Sequence, residues 1–261
     1  MFANALTLLA QGVMSNSIRV IDCAAVLGPD TPIPKLPWEG AHNTPRVEIH
    51  NISKYDDRGP FWAWNWLKLG EHTGTHFDAP HHWVTGKIHP DGSTDTIDPK
   101  NFIAAANVID CTAEVNLDND FLLTADAVKR WEAEHGKIGE GEWVLMRTGW
   151  SSRNTDEGAF LNIDERGPRT PGPSSDCIEY LIDKNVLGWG TECASTDAGL
   201  AAKFNPPSPA HNLLHKHNRY GLSSLVNLEE LPPKGAILIV APLKIQDGTG
   251  SPVRVLALVA E

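Results

Sequence analysis

The sequence has few cysteines and a shortage of basic residues. Of its 261 residues, 22 are Lys or Arg and 33 are Asp or Glu, so the formal net charge is −11. Nucleic-acid-binding proteins normally carry a basic excess, and we therefore expect no nucleic acid as a partner. The widely spaced cysteines form no C-x-x-C pair, which argues against a disulfide framework and a cysteine zinc site. They are Cys23, Cys111, Cys177 and Cys193.

Long apolar runs are lacking as well. No stretch reaches 18 apolar residues, so the sequence predicts no membrane span. The mostly apolar segment 2–10 has no Lys or Arg before it and no clear cleavage site after it, unlike a secretory signal. We expect a short helix here, with Leu6, Leu9 and Val13 on one face, and a cytoplasmic protein.

Apolar, β-rich runs recur along the chain, separated by many of the 22 glycines and 19 prolines. The run 236–243 is nearly all apolar and predicts a strand that is buried on both faces. The proline-rich segment 29–45 is a predicted loop. Strands are predicted at 18–26, 47–52, 61–69, 107–111, 143–147, 186–189, 236–245 and 253–259.

Two helices are predicted between these strands. Thr124 can cap a helix over Ala125–His135, which Gly136 would end. Ser174 or Ser175 can cap a second helix that runs to about Asn185. The order is then β–α–β–α–β in the middle of the chain. We expect an α/β fold in one domain, 1–261, with a central sheet and additional hairpins.

Four of the eleven histidines fall within one eleven-residue window. His72 and His76 are four residues apart, so one helical turn would direct both rings to the same side. Gly74 and Pro80 disfavour a longer helix, so we expect the chain to turn after His76 and bring Asp78 to the same place. Two imidazoles and a carboxylate suit Zn²⁺, Mn²⁺ or Fe²⁺ and leave open positions, as catalytic sites do. The alternative is a surface loop that happens to be rich in histidine.

The histidine block belongs to a longer signature. H-x-G-T-H-x-D-x-P-x-H is complete from His72 to His82, and three later segments follow it: GTECASTD with Glu192, PAHNLL with His211, and SLVNLEEL. Together they resemble the metal-dependent cyclase, or kynurenine-formamidase-like, hydrolase family, in which an aspartate stands in place of Glu192. The resemblance implies a swivelling β/β/α fold and a homodimer with active sites near the subunit interface.

The resemblance also implies an activity. In the branch that this chain resembles, metal-bound water opens the lactam ring of isatin, and the metal is Mn²⁺, with Zn²⁺ as the other candidate. Formamidase-type members carry a glutamate just before the last motif, and it helps to hold a second metal. Ser223 stands there, and serine is a poor ligand beside a carboxylate, so we expect one divalent metal ion per chain. The implied roles are metal ligation by His72, His76 and Asp78, general base catalysis by His82, and proton movement at Ser224.

Tryptophans cluster around the histidine block. Trp62, Trp64 and Trp66 alternate along a predicted strand and therefore share one face. They form either an aromatic wall that stacks a flat cyclic amide, or a core or dimer-interface stripe. For substrate binding we predict Trp62, Trp64, Trp83 and His211. Trp38 also lies in this group, whereas Trp131, Trp143, Trp150 and Trp189 are predicted core residues.

The remaining polar positions receive less specific predictions. His215 and His217 are predicted surface residues, and His81 is expected to pack or to support its neighbours. Asp197 is expected to hold the loop near the metal as a hydrogen-bond acceptor. The G-T-G sequence at 248–250 lacks the strand–loop–helix context of a phosphate loop, so a hairpin turn is the better interpretation.

Three other functions stay open. An arylformamidase acting on N-formylkynurenine would use the same chemistry, but the missing glutamate at Ser223 argues against it. A two-histidine, one-carboxylate iron oxygenase usually spaces its ligands differently from three within seven residues. A non-catalytic metal-binding protein would not need His82. A serine hydrolase is excluded by the lack of a G-x-S-x-G motif.

Overall fold

A nine-stranded mixed sheet forms the framework of the protein. The computed structural model describes residues 2–35 and 43–260. The helices are α1 Phe2–Ser15, α2 Thr112–Leu117, α3 Ala125–His135, α4 Glu157–Leu161 and α5 Ser175–Asp183. The strands are β1 Ile18–Asp22, β2 Glu48–Asp56, β3 Gly59–Lys68, β4 His76–Asp78, β5 Ile103–Asp110, β6 Leu122–Leu123, β7 Trp143–Arg147, β8 Ile163–Asp164, β9 Gly167–Pro168, β10 Gly172–Pro173, β11 Gly188–Thr191, β12 Tyr220–Ser223, β13 Lys234–Val240, β14 Gly250–Pro252 and β15 Val255–Ala260.

The middle of the sheet is parallel and its two sides are antiparallel. The order is β1-β15-β13-β5-β7-β11-β12-β4-β14, and the parallel strands are β5, β7, β11 and β12. α3 lies between β5 and β7 in the chain, and α5 between β7 and β11, as crossovers between parallel strands require. The predicted β–α–β–α–β order is therefore confirmed.

The helix ends follow the predicted capping residues. Thr124 Oγ1 accepts a hydrogen bond from Ala127 N at 3.3 Å, and α3 ends at Gly136. Ser174, the first of the two predicted caps, accepts from Cys177 N at 3.4 Å. The N-terminal helix α1 is also present.

Two hydrophobic clusters lie on the two sides of the sheet. Alternate residues of β7 belong to different clusters, with Trp143 on one side and Val144 on the other. α3 and α5 cover the second cluster, which also holds Trp131, Trp150 and Trp189. All four tryptophans predicted for the core are buried.

The first cluster is closed by the sheet itself. It contains Ile21 of β1 at one edge, Leu238 of β13, and Phe77 of β4 near the other edge. The sheet therefore curls so that distant strands share one core. Backbone hydrogen bonds from Val226 N to Cys23 O and from Cys23 N to Val255 O fasten this closure.

The prediction for 236–243 is wrong in one respect. β13 lies in the antiparallel part of the sheet, and only one of its faces is buried: Leu238 is inaccessible, whereas Ile237 is 43% exposed. On the side of the second cluster, α3 and α5 pack against strands of the parallel centre and not against β13. The apolar sequence of β13 therefore does not imply that both of its faces are buried. Strands that are buried on both faces lie in the parallel centre, as in β7, β11 and β12.

Two other segments matter for the site. β2 and β3 pair with each other as a separate antiparallel hairpin, which confirms the expected additional hairpin. The predicted hairpin turn at 248–250 is wrong, because β14, which begins at Gly250, pairs with β4 and not with the preceding strand β13. In the part of the predicted loop 29–45 that the structure describes, neither helix nor strand is present.

Within the described ranges, no helix is long and apolar enough to cross a membrane.

Candidate metal centre

The short strand β4 positions the centre. It lies between β12 and β14, and pairs antiparallel with both. His76 and Asp78 are two residues apart in this strand, so their side chains leave the same face. The predicted turn after His76 is therefore wrong: the chain bends before it, where Gly74 adopts φ 61°, and then runs straight.

Asp78 is the buried centre of the cluster. Its Oδ1 lies 2.7 Å from His72 Nδ1 and 3.4 Å from His76 Nε2. His211 Nε2 lies 3.9 Å from Oδ2. Burial alone would raise the pKa of Asp78, but the imidazoles of His76 and His72 beside it hold that pKa well below its usual range.

The second oxygen of Asp78 fits a cation. Oδ2 is buried, and among the described residues it has no hydrogen-bond partner. A buried carboxylate oxygen normally has one, because leaving it unpaired costs about 1–3 kcal/mol. A carboxylate enclosed by imidazoles is a donor set for a divalent transition metal, so the residues present fit such an ion.

Two three-residue sets share His72 and Asp78. His72, Asp78 and His82 each offer an atom within 4.8 Å of the others. The predicted set has His76 in place of His82, and Nδ1 of His76 donates to Gly74 O at 2.8 Å. That bond leaves the lone pair of a neutral His76 on Nε2, the nitrogen nearest Asp78.

His82 lies on top of His72. It ends a short 3₁₀ turn, Pro80–His82, and its ring stacks on that of His72 with centroids 3.7 Å apart. Burial lowers the pKa of His82 to about 2, and the positive charge of His72 and His211 adds to the effect, although Asp78 opposes it. The imidazole is therefore neutral.

His211 is held in place by Asp197. Its Nδ1 donates to Asp197 Oδ2 at 2.5 Å, while Asp197 Oδ1 accepts from Ala210 N at 2.7 Å. Burial alone would lower the pKa of His211, but the hydrogen bond and charge of Asp197 raise it. Asp197 thus accepts hydrogen bonds from a residue beside the cluster and from the backbone of the segment that carries it. This geometry agrees with the predicted role of a hydrogen-bond acceptor near the metal.

Trp83 and His215 complete the surroundings of His211. The Trp83 ring lies 4.9 Å from that of His211 and 6.1 Å from that of His82. The prediction of a surface position is wrong for His215, which is buried and lies 5.9 Å from His211, ring to ring. A π-helical turn, Ala210–Leu214, brings it inward.

The other two histidines behave as predicted. His217 is exposed. His81 points away from the cluster, where its Nε2 donates to His89 O at 2.7 Å.

Ser223 and Ser224 have different surroundings. Ser223 pairs with His76 across β12 and β4, and its buried Oγ has no hydrogen-bond partner in the described part of the chain. Ser224 adopts φ 57°, and its carbonyl accepts from Thr75 Oγ1 at 2.6 Å. Ser224 also lines a cavity of about 520 Å³ together with Gly74.

The β3 tryptophans lie away from the core of this chain. Trp62, Trp64 and Trp66 are 49%, 56% and 50% exposed, so the core interpretation of this stripe is wrong for the chain alone. The ring of Trp66 stacks on His50 of β2 at 3.9 Å, within the same hairpin. Trp38 lies outside the described residues.

Sequence reasoning missed Glu71, Thr249 and two glycines. Thr249 Oγ1 lies 3.0 Å from His72 Nε2 and donates to Glu71 Oε2 at 2.6 Å. Gly221 and Gly250 flank Asp78 in the neighbouring strands. A Cβ at Gly221 would meet Asp78 Oδ2 at 2.8 Å, and one at Gly250 would meet His72 Cε1 at 2.4 Å. The signal available in the sequence was the two glycines themselves. Their importance depends on the strand register, which places both beside β4 and cannot be read from the sequence.

Comparison with known proteins places this centre in a family. The Cyclase family model matches residues 21–198. The chain belongs to the cyclase family. It is 62% identical over 256 residues to the isatin hydrolase of Roseibium aggregatum, with 98% of this chain and 97% of that protein covered.

Two further proteins are similar to this chain. A crystal structure of an isatin hydrolase bound to the product analogue thioisatinate has a TM-score of 0.98 at 61% identity, with 99% of both chains covered. The kynurenine formamidase of Salinibacter ruber is 31% identical over 190 residues, or 72% of this chain and 76% of that one. The expected cyclase-type α/β fold is confirmed.

The first testable prediction concerns Gly250. In Gly250→Ala the new methyl group would clash with the His72 ring and with Phe77 O, 2.5 Å away. We expect His72 to be displaced and the affinity for a divalent metal to fall about 10- to 100-fold. Metal content after dialysis, measured by plasma mass spectrometry, checks this.

Gly28→Ala is the matched control, because a Cβ there meets nothing within 4 Å. It should retain metal. A folded Gly250→Ala protein with the wild-type metal content would contradict the role of Gly250.

Proposed function

We propose that this chain is a metal-dependent hydrolase that opens the lactam ring of isatin to give isatinate. The observation that carries the proposal is the buried Asp78 carboxylate, enclosed by imidazoles, with one oxygen free of hydrogen bonds. The identity of 62% to an isatin hydrolase over nearly the whole chain supports the choice of substrate.

We infer that His72, His76 and Asp78 hold one divalent metal ion, Mn²⁺ in preference to Zn²⁺. When bound, such an ion supplies a Lewis acid for the lactam carbonyl and lowers the pKa of a water molecule. Ser223 in place of a carboxylate supports a single ion, since its hydroxyl is a weak ligand for a second one.

His82 is the proposed general base. Its ring stacks on that of the proposed ligand His72 at 3.7 Å, which places it beside the metal site, within reach of the attacking water whose proton it would take. The C–N bond of the lactam then breaks, and His82 returns the proton to the leaving aryl nitrogen. The product is an α-keto carboxylate with a free aryl amine.

Trp83 and His211 are proposed to bind the substrate. Their rings lie near His82, at 6.1 and 5.3 Å, where a flat bicyclic molecule would stack. Asp197 fixes the His211 ring so that its Nε2 faces the centre. Ser224 is the proposed residue for proton movement, because it lines the cavity beside Gly74.

A second candidate function is arylformamidase activity on N-formylkynurenine. The 31% identity to a kynurenine formamidase favours it. It needs the same base and the same kind of water attack, so it differs only in substrate and in the metal number. Ser223 argues against it.

We also propose a homodimer in which the β2–β3 hairpin lies at the interface. Phe61 is 85% exposed, and Trp62, Trp64 and Leu67 are each about half exposed. An apolar patch of this kind is a common feature of protein interfaces. Trp62 and Trp64 would then join the substrate wall from the subunit interface.

Pairing of β1 with β15 supports one domain over 1–261, and a cytoplasmic location stays a prediction.

The substrate prediction is tested with isatin and N-formylkynurenine side by side. We expect metal-stripped protein to be inactive, and Mn²⁺ to restore loss of isatin absorbance with little formation of kynurenine. Strong formamidase activity would replace the first function with the second. If neither substrate reacts, the substrate proposal fails.

The ligand set is tested by the metal content and turnover of two variants. We expect about one metal ion per chain in wild type and loss of the metal in His76→Ala. His82→Ala should retain the metal, and its turnover should fall by at least about 100-fold. His217→Ala, a change of an exposed histidine, is the control. Loss of metal in His82→Ala with retention in His76→Ala would make His82 the third ligand, and two metals per chain would refute the single ion.

The dimer is tested by sedimentation velocity. We expect wild type to sediment as a dimer, and a Phe61→Ser, Trp64→Ser double variant to dissociate because two apolar side chains leave the interface. Leu117→Ser changes a leucine that is 91% exposed on α2 and should leave the dimer intact. A monomeric wild type, or an unchanged double variant, would contradict the proposal.

A further inference from the structure

A chain of hydrogen bonds leads away from His72 on the side opposite Asp78. Nδ1 of His72 faces Asp78 Oδ1 at 2.7 Å, and its Nε2 faces Thr249 Oγ1 at 3.0 Å. Thr249 Oγ1 in turn lies 2.6 Å from Glu71 Oε2, and Thr249 N donates to the same oxygen at 3.3 Å. Glu71 is the residue directly before His72 in the chain.

The hydrogens in this chain can be assigned from chemistry. A carboxylate only accepts, so the single hydroxyl hydrogen of Thr249 points to Glu71. The oxygen of Thr249 is then an acceptor toward the ring, and Nε2 of His72 must carry the proton. A neutral ring protonated at Nε2 has its lone pair on Nδ1, the nitrogen that faces Asp78.

Thr249 itself is held rigidly. Its carbonyl accepts from Ala79 N at 2.9 Å, directly after β4, and the next residue, Gly250, begins β14 opposite Asp78. The absence of a side chain at Gly250 lets the His72 ring lie against this strand. The same backbone that pairs with the metal strand therefore also presents the hydroxyl to His72.

We infer that Glu71 and Thr249 are positioning residues for the metal ligand His72: they fix its tautomer and ring orientation so that Nδ1 is free for a divalent cation. Metal-binding histidines usually donate their other N–H to a carboxylate or carbonyl, and here a threonine hydroxyl transmits the effect of the carboxylate. The inference rests on the metal site proposed above, and it holds for either third ligand because His72 and Asp78 belong to both sets.

The experiment measures Mn²⁺ affinity rather than turnover. Metal-stripped wild type, Thr249→Val, Thr249→Ser and Glu71→Gln are titrated with Mn²⁺, and free Mn²⁺ is read from its electron paramagnetic resonance signal. Valine keeps the shape of threonine but removes the hydroxyl, so we expect the Kd to rise about 10- to 100-fold. Serine restores the hydroxyl and should return the Kd close to wild type. Glu71→Gln, which keeps a weaker acceptor, should lie between them.

Thr94→Val is the matched control. Thr94 is buried, and its Oγ1 donates to Ile245 O at 3.1 Å in the same segment that carries Thr249, but it does not touch His72. We expect its Kd to match wild type, even if its melting temperature falls as much as that of Thr249→Val.

The outcomes separate the two proposals. If wild type binds Mn²⁺ and Thr249→Val binds it equally well, the positioning role is refuted while the metal site stands. Equal weakening in Thr94→Val and Thr249→Val would also refute it, because the effect would be general destabilisation. If wild type binds no metal, the metal site and this inference both fail.

Discussion

The buried carboxylate of Asp78 is the group around which the rest of the site is arranged. It lies in the middle of a three-stranded section, with Gly221 on one side and Gly250 on the other. A buried, ionised carboxylate is stable only when cations or donors surround it. The imidazoles of His72, His76 and His211 lie around it, and a divalent cation bound among them would compensate its charge. β4 pairs with β12, and the π-helical turn before His215 also contacts β12, so this strand brings the two to one place.

Local signals in the sequence were sufficient to predict the helix caps and the closeness of the candidate metal ligands. Thr124 and Ser174 cap their helices because a capping side chain acts on the backbone within three residues. The two histidines and Asp78 fall close together in the chain, so their proximity in space needed little knowledge of the fold. The geometry was still misjudged, since a strand, not a helical turn, directs His76 and Asp78 to one face.

What escaped prediction depends on pairing between distant segments. Thr249 lies 177 residues from His72 in the chain, and nothing in its own surroundings indicates a histidine. His215 reads as a polar residue in a polar stretch, and becomes buried only because a π-helical turn rotates it inward. The exposed face of β13 has the opposite cause: its apolar sequence is typical of a buried strand, but it contributes no residue to the cluster that α3 and α5 cover.

The position of Ser223 has an electrostatic consequence for the number of metals. It pairs with His76, so its side chain leaves the same face of the sheet as Asp78. A glutamate there would add a second carboxylate to a buried space, and an unpaired buried charge costs several kcal/mol. A second cation would compensate for that charge. With serine, the carboxylate of Asp78 remains, while that of Asp197 is matched by the hydrogen bond and raised pKa of His211. One divalent ion would therefore compensate the buried charge, in agreement with the single metal proposed above.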